Sequence, residues 1–133
     1  MKRFKVALRL LFALFFIAAG LNHFRIPAFY QRMIPTALPD PEALVASSGA
    51  CEIFGGLLLM VPRTRRIAAW GLIALLIAVF PANIQMALHP ELFPELNPVA
   101  LLLRLPLQFV LIAWAWRYTR REPTIASKHE GLD

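Results

Sequence analysis

The sequence predicts an all-α protein of the membrane: an integral four-helix bundle, N-in and C-in, with a short interfacial helix in its first outer connection. Three observations predict it. Of 133 residues, 59% are apolar and 17% charged, a balance too apolar for an ordinary soluble domain. The apolar residues fall into four runs, each near the ~20 residues an α-helix needs to cross hydrocarbon. The basic residues stand in short clusters between those runs, as membrane proteins arrange them. The formal net charge of +6 would otherwise invite a nucleic-acid reading. That reading needs a basic face on a folded surface, so the expected partner is the lipid bilayer and not a nucleic acid.

The first run covers residues 6–24 and is interrupted only by Arg9, whose side chain is expected to snorkel toward the headgroups. Lys2, Arg3 and Lys5 before Leu10–Leu21 also resemble the start of a signal peptide. However, the apolar run begins before Leu10 and no small-x-small cleavage site follows, which favours a span. The first outer connection holds Pro27, Pro35, Pro39 and Pro41. Between them Phe29 and Met33 are four apart, as are Tyr30 and Ile34, the spacing of a short amphipathic helix lying in the interface. The second run covers 42–61 and the third 67–88. Pro62 to Arg66 make a tight turn between them, so these two spans are expected to be antiparallel neighbours. The third connection reads HPELFPELNP, with Asn97 placed to cap the fourth span, 99–118. Residues 1–121 thus form the bundle and 122–133 a polar tail expected to be disordered and cytoplasmic.

Orientation follows from Lys and Arg. Lys2, Arg3, Lys5, Arg9, Arg63, Arg65, Arg66, Arg117, Arg120, Arg121 and Lys128 fall on one side; only Arg25 and Arg32 fall on the other. Both termini are therefore expected inside, with Trp114, Trp116 and Tyr118 as an inner aromatic belt. The single cysteine, Cys51, excludes an internal disulfide and a thiol-redox CxxC pair.

Polar residues inside the runs carry what functional signal there is. A charge at mid-bilayer costs about 2.5–3.5 kcal/mol on insertion scales and usually faces a protein interior. Glu52 lies near the middle of the second span. Arg104 lies five residues into the fourth, ~8 Å from its outer end at 1.5 Å per residue. Asn22 and His23 end the first span, Asn83 and Gln85 sit in the outer half of the third, and Gln108 follows Arg104 by one turn. All four spans thus place polar groups in the outer half or at the midplane, which predicts one polar pocket open or nearly open to the outer side. Asn83 and Gln85 point to different sides of a helix, so at most one of them lines it. Pro81 and Pro106, each seven residues from an outer end, are expected to kink their helices and free the carbonyls of Ile77 and Leu102. Broken backbone at that depth is tolerated beside protein or a wet cavity. Ser48, Cys51, Glu52, Gly55 and Gly56 share one broad face, and small residues there let a neighbouring helix approach closely. Each feature also has a purely structural reading. Glu52 with Arg104 can be an ion pair that fixes register, the prolines plain kinks, and His23 a capping residue. No second ligand stands at zinc spacing from His23, so no metal site is expected.

The stretches AGLNHF (19–24), IPTALPDP (34–41), LVASSGACEIFGGLLL (44–59) and PANIQMA (81–87) resemble the DoxX-like membrane protein family, related to the MauE proteins. The resemblance covers roughly residues 15–90 and is weaker over the fourth span. It implies a four-helix protein of the bacterial cytoplasmic (inner) membrane with a redox-associated or quinone-facing role. It brings no agreed catalytic residues. The motif positions Asn22, His23, Glu52 and Asn83 coincide with the polar pocket.

Three functional readings remain open at this level. The first is a non-catalytic accessory or subunit of a membrane redox system, with a quinone as ligand, an oxidoreductase as partner, and Glu52, Arg104 or His23 bonding the carbonyls. The second is a small proton-coupled transporter, in which a homo-oligomer supplies the helices that alternating access needs. The third is a structural or chaperone-like bundle. The sequence holds no Ser/His/Asp set, phosphate loop or dinucleotide fingerprint, so a stand-alone enzyme is not expected.

Overall fold

A computed structural model describes residues 1–121; the tail expected to be disordered lies outside the described residues. The chain folds into six α-helices: α1 (Lys2–Arg25), α2 (Pro27–Met33), α3 (Pro41–Met60), α4 (Arg65–Ala78), α5 (Phe80–Leu88) and α6 (Pro98–Trp116). Single 3-10 turns follow α5 at Pro90–Leu92 and α6 at Arg117–Thr119, and there is no strand among the described residues. Four stretches are long and apolar enough to cross a membrane: Lys2–Arg25, Pro41–Met60, Arg65–Leu88 and Pro98–Thr119. The protein is therefore a multi-pass helical bundle. Both described ends of the chain and the α3–α4 turn lie at one end, here the terminal end; α2 and the α5–α6 connection lie at the other.

Local chemistry sets the boundaries. Asp40 adopts a left-handed conformation (φ 50°) and its side chain accepts from the Ala43 amide at 3.2 Å, with Pro41 at the first helical position where its missing N–H costs nothing. Asn97 caps α6 as expected, accepting from the Val99 amide at 2.9 Å. At the α3–α4 turn the Thr64 hydroxyl donates to the Leu58 carbonyl at 2.6 Å.

The two prolines behave differently. Pro81 breaks the third span into α4 and α5, with Val79 as the single non-helical residue between them. Pro106 sits inside a continuous α6. At the break the side-chain bond goes to the carbonyl of Leu76, one residue before Ile77: Gln108 Nε2 donates to it.

Packing is closest between α1 and α3, and glycine is the reason. A Cβ on Gly20 would lie 2.6 Å from the Gly49 carbonyl oxygen, and one on Gly56 would lie 2.7 Å from the Ala13 carbonyl oxygen. Backbones this close leave no room for a side chain. The broad face expected on the second span divides four ways. Gly49 and Gly56 meet α1, Gly55 meets Leu72 of α4, and Cys51 is exposed on the outside. Ser48 and Glu52 turn to the bundle interior.

Two apolar cores result. The terminal-end core is built on Phe12, Phe16, Leu59, Leu72 and Ala115. The α2-end core is built on Met33, Met86, Phe93 and Leu101. Trp114 and Tyr118 are partly buried and pack against the first core: Trp114 stacks on Phe12 at 4.4 Å and donates its indole N–H to the Tyr118 hydroxyl at 2.8 Å. Trp116 alone of the three is exposed, set edge-on to Trp70. Arg9 also departs from expectation. It is 8% exposed, folded into the bundle instead of snorkelling, and its Nε has no hydrogen-bond partner.

Candidate functional site

Neither core fills the middle of the bundle. Between them lies a cavity of about 350 Å³, at the small end of the range for ligand sites. Each spanning stretch contributes polar lining: His23 from α1, Glu52 and Ser48 from α3, Asn83 from α5, and Arg104 and Gln108 from α6. The rest of the wall is largely apolar, including Phe16, Leu76 and Leu107.

One side of the cavity is a chain of donors running in a single direction. Arg104 Nε donates to Asn83 Oδ1 at 3.4 Å, Asn83 Nδ2 donates to Gln108 Oε1, and Gln108 Nε2 donates to the Leu76 carbonyl beside the helix break. A guanidinium can only donate and a carbonyl can only accept. Both amides between them are therefore held in one orientation. Asn83 and Gln108 are buried, so the chain also satisfies groups that hydrocarbon would leave unpaired. Proline placement explains the geometry, since the break at Val79 brings the Leu76 carbonyl within reach of α6.

On the other side stands an acid–imidazole–phenol group. His23 Nδ1 lies 2.8 Å from the Ala19 carbonyl and 3.3 Å from Glu52 Oε2. The carbonyl must accept, so Nδ1 carries the proton and directs it there. Glu52 Oε2 is buried and takes no hydrogen bond from the protein. The His23 ring stacks on Tyr30 with centroids 3.9 Å apart. Gly49 sets this position: a Cβ there would lie 2.8 Å from the His23 Cβ.

Glu52 and Arg104 line the same cavity but do not form the register-fixing ion pair that the purely structural reading offered. Glu52 contacts His23 and Arg104 contacts Asn83, so the two charges face one cavity without touching. Paired directly, the two groups would consume each other's hydrogen-bonding capacity; separated, both keep it for something between them. Asn22 is not part of the lining. Its Nδ2 donates to the Tyr30 hydroxyl at 2.8 Å and its Oδ1 accepts from Arg25 Nε at 2.9 Å, which braces the tyrosine. Of the two amides on the third span, Asn83 lines the cavity and Gln85 does not.

On the outer side, where the pocket was expected to be open or nearly open, the cavity is covered. Tyr30 and Met33 of α2, with Ile34 just after it, roof the cavity. Arg32 fastens that roof across the molecule, donating to the Leu92 carbonyl at 2.7 Å and to Glu95 Oε1 at 2.5 Å, with its guanidinium over the rings of Phe29 and Phe93. The Arg32 hydrogen bond holds the Glu95 carboxyl below the ordinary carboxylate range. The sequence reading missed Tyr30 and Arg32. A signal for Arg32 was present: it is one of only two basic residues assigned to a side that also carries Glu91 and Glu95.

A four-helix membrane-spanning bundle enclosing a polar cavity between two apolar cores is the class this fold and site define. Within that class, the chain belongs to the family described as a domain of unknown function, DUF8561, whose model matches residues 12–119. That stretch contains every residue of the cavity. No curated protein and no solved structure matches the chain.

Proposed function

We propose that this protein is a DoxX-like accessory subunit of a redox system in the bacterial inner membrane, and that its cavity binds the head of a quinone. The observation that carries the reading is the division of the cavity's polar groups. Arg104 and the amides it orients stand on one side, and the Glu52 carboxyl with His23 on the other, inside otherwise apolar walls. A quinone or quinol head has a flat apolar ring with oxygens at opposite ends. Arg104 would donate to one oxygen, and the unpartnered Glu52 oxygen would accept from a hydroxyl at the other. Tyr30 and Phe16 offer rings for the flat faces, where aromatic pairs are favourable. The N-in, C-in orientation drawn from the basic clusters would set this cavity in the outer half of the membrane.

The test is direct. Protein purified from its native membranes in nanodiscs is extracted, and bound lipids are identified by mass spectrometry. The same protein is titrated with 2,3-dimethoxy-5-methyl-1,4-benzoquinone. Retained quinone and saturable binding are expected, with Arg104→Leu weakening binding at least tenfold, about 1.4 kcal/mol. A wild-type protein that retains no quinone and shows no saturable binding would sink the reading.

A second reading, a small proton-coupled transporter, is favoured by one observation: a carboxyl and an imidazole in contact within the spanning region, as proton pathways use. Proton flux in proteoliposomes that Glu52→Gln abolishes would support it, and flux unchanged by that substitution would remove it.

A further inference from the structure

One seam in the bundle wall is not closed by backbone packing. Helix α1 packs on α3, α3 on α4, and α4 and α5 on α6, whereas the backbones of α1 and α6 do not pack together closely. At the terminal end side chains close the gap between them, through the Phe12–Trp114 stack at 4.4 Å and the Tyr118 ring 5.9 Å from Phe12. Nearer α2, closure fails. Along the same edge of α6, Trp114 and Leu111 are half-buried, while Leu107 is 50% and Leu103 60% exposed. Leu107 stands seven residues from Trp114, about 10 Å along the axis. Across the seam Phe15 is 49% exposed. Phe15 and Leu107 both also line the cavity. Each side chain therefore has one surface toward the cavity and another toward the outside of the bundle, where lipid lies.

The two ends of the cavity are obstructed. Phe12 and Phe16, 0% and 1% exposed, fill the terminal end. The roof of α2 covers the other, with Met33 6% exposed, the Tyr30 hydroxyl tied to Asn22 and the helix fastened through Arg32.

Resting on the quinone-head reading above, we propose that the ligand reaches the cavity sideways from the bilayer, through a portal between α1 and α6 flanked by Phe15 and Leu107, and that its hydrocarbon tail stays in that portal once the head is seated. The chemistry selects this route. A tail in the portal exchanges lipid contact for contact with Phe15 and Leu107 and never meets water. A tail leaving through the roof would thread past the Tyr30–Asn22 hydrogen bond into an aqueous interface, which apolar chains avoid. The proposal thus narrows the ligand class to a tailed amphiphile presented by the membrane.

The full-length protein in nanodiscs is titrated with two probes: decylubiquinone, whose binding is expressed per lipid, and the tail-less 2,3-dimethoxy-5-methyl-1,4-benzoquinone. The double variant Phe15→Trp, Leu107→Trp fills the seam. Phe54→Trp, at a 66% exposed site on α3 outside the cavity lining, is the control. Both residues also line the cavity, so the double variant is expected to weaken decylubiquinone at least tenfold more than it weakens the tail-less probe; the control should alter neither. Decylubiquinone bound within twofold of wild type overturns the portal, as does equal weakening of both probes. If the double variant does not fold, Phe15→Ala, Leu107→Ala widens the seam instead. It should raise the association rate of decylubiquinone several-fold more than that of the tail-less probe; an equal change for both, or none for either, overturns the portal. Failure of wild type to bind either probe is a different result, since it removes the quinone-head reading itself.

Discussion

Gln108 is the residue whose removal tests the cavity's architecture most severely. It is 3% exposed, and both ends of its amide are engaged: Oε1 accepts from Asn83 and Nε2 donates to the Leu76 carbonyl. Gln108→Leu keeps the volume close to native but leaves the Asn83 N–H and the Leu76 carbonyl without their side-chain partner. In soluble proteins a buried group orphaned in this way costs about 1–3 kcal/mol. Between membrane helices side-chain hydrogen bonds average about 0.6 kcal/mol and reach about 1.7. Two such bonds bracket the loss at about 1–3 kcal/mol, and about 2 kcal/mol, the middle of that range, is expected. Asn83→Leu should cost a similar amount. The double substitution should cost about 1 kcal/mol less than the sum, since each single change orphans a partner that the other removes. Reversible unfolding in mixed detergent micelles, followed by the fluorescence of Trp70, Trp114 and Trp116, measures all three. A Gln108→Leu protein within about 0.5 kcal/mol of wild type, or a strictly additive cycle, would refute the one-directional donor chain.

Four further substitutions separate the other elements. Gly56→Ala places a Cβ 2.7 Å from a backbone oxygen of α1, so the two helices must part, and about 1–3 kcal/mol of stability should be lost; Gly71→Ala, with nothing within 4 Å of its added Cβ, should be neutral or stabilising by about 0.5 kcal/mol. Arg32→Ala removes the bonds to Leu92 and Glu95 and both ring contacts, so amide hydrogen exchange over residues 27–33 should quicken several-fold, and unchanged exchange would show that the Tyr30 contacts and burial of Met33 suffice to hold α2. Because Arg32 lowers the Glu95 carboxyl below its ordinary value of 4.5, this tie is complete above that value and is lost as pH falls through the depressed one; a spin label at Gln31 should gain mobility on acidification, and Glu95→Gln should abolish that pH dependence.

The sequence by itself determined the class of fold and the depth of the polar residues. Hydrocarbon demands runs of about 20 apolar residues, and the four spans are visible as such runs before any packing is known. Caps are equally local, which is why Asn97 could be assigned from its neighbours alone. Depth was also legible: His23, Glu52, Asn83, Arg104 and Gln108 do meet around one cavity, because a polar group within a span has few places to go except inward.

Tertiary structure decided everything that depends on azimuth and on partners distant in the chain. Opposite charges at similar depth attract, so the sequence leaves a direct Glu52–Arg104 pair open as a purely structural reading. The α1–α3 glycine contact instead sets His23 beside Glu52, and the break at Val79 brings Asn83 and Gln108 to Arg104. Pro81 and Pro106 carry the same local signal, yet only the first breaks its helix. Asn22 and Cys51 turned away from the cavity and Tyr30 turned into it, because α2 folds back over the bundle as a roof. A one-dimensional pattern gives height along a helix. Rotation about the helix axis is set by which backbones can touch, and here glycines drew α1 onto α3 while α1 and α6 were left to meet through side chains alone.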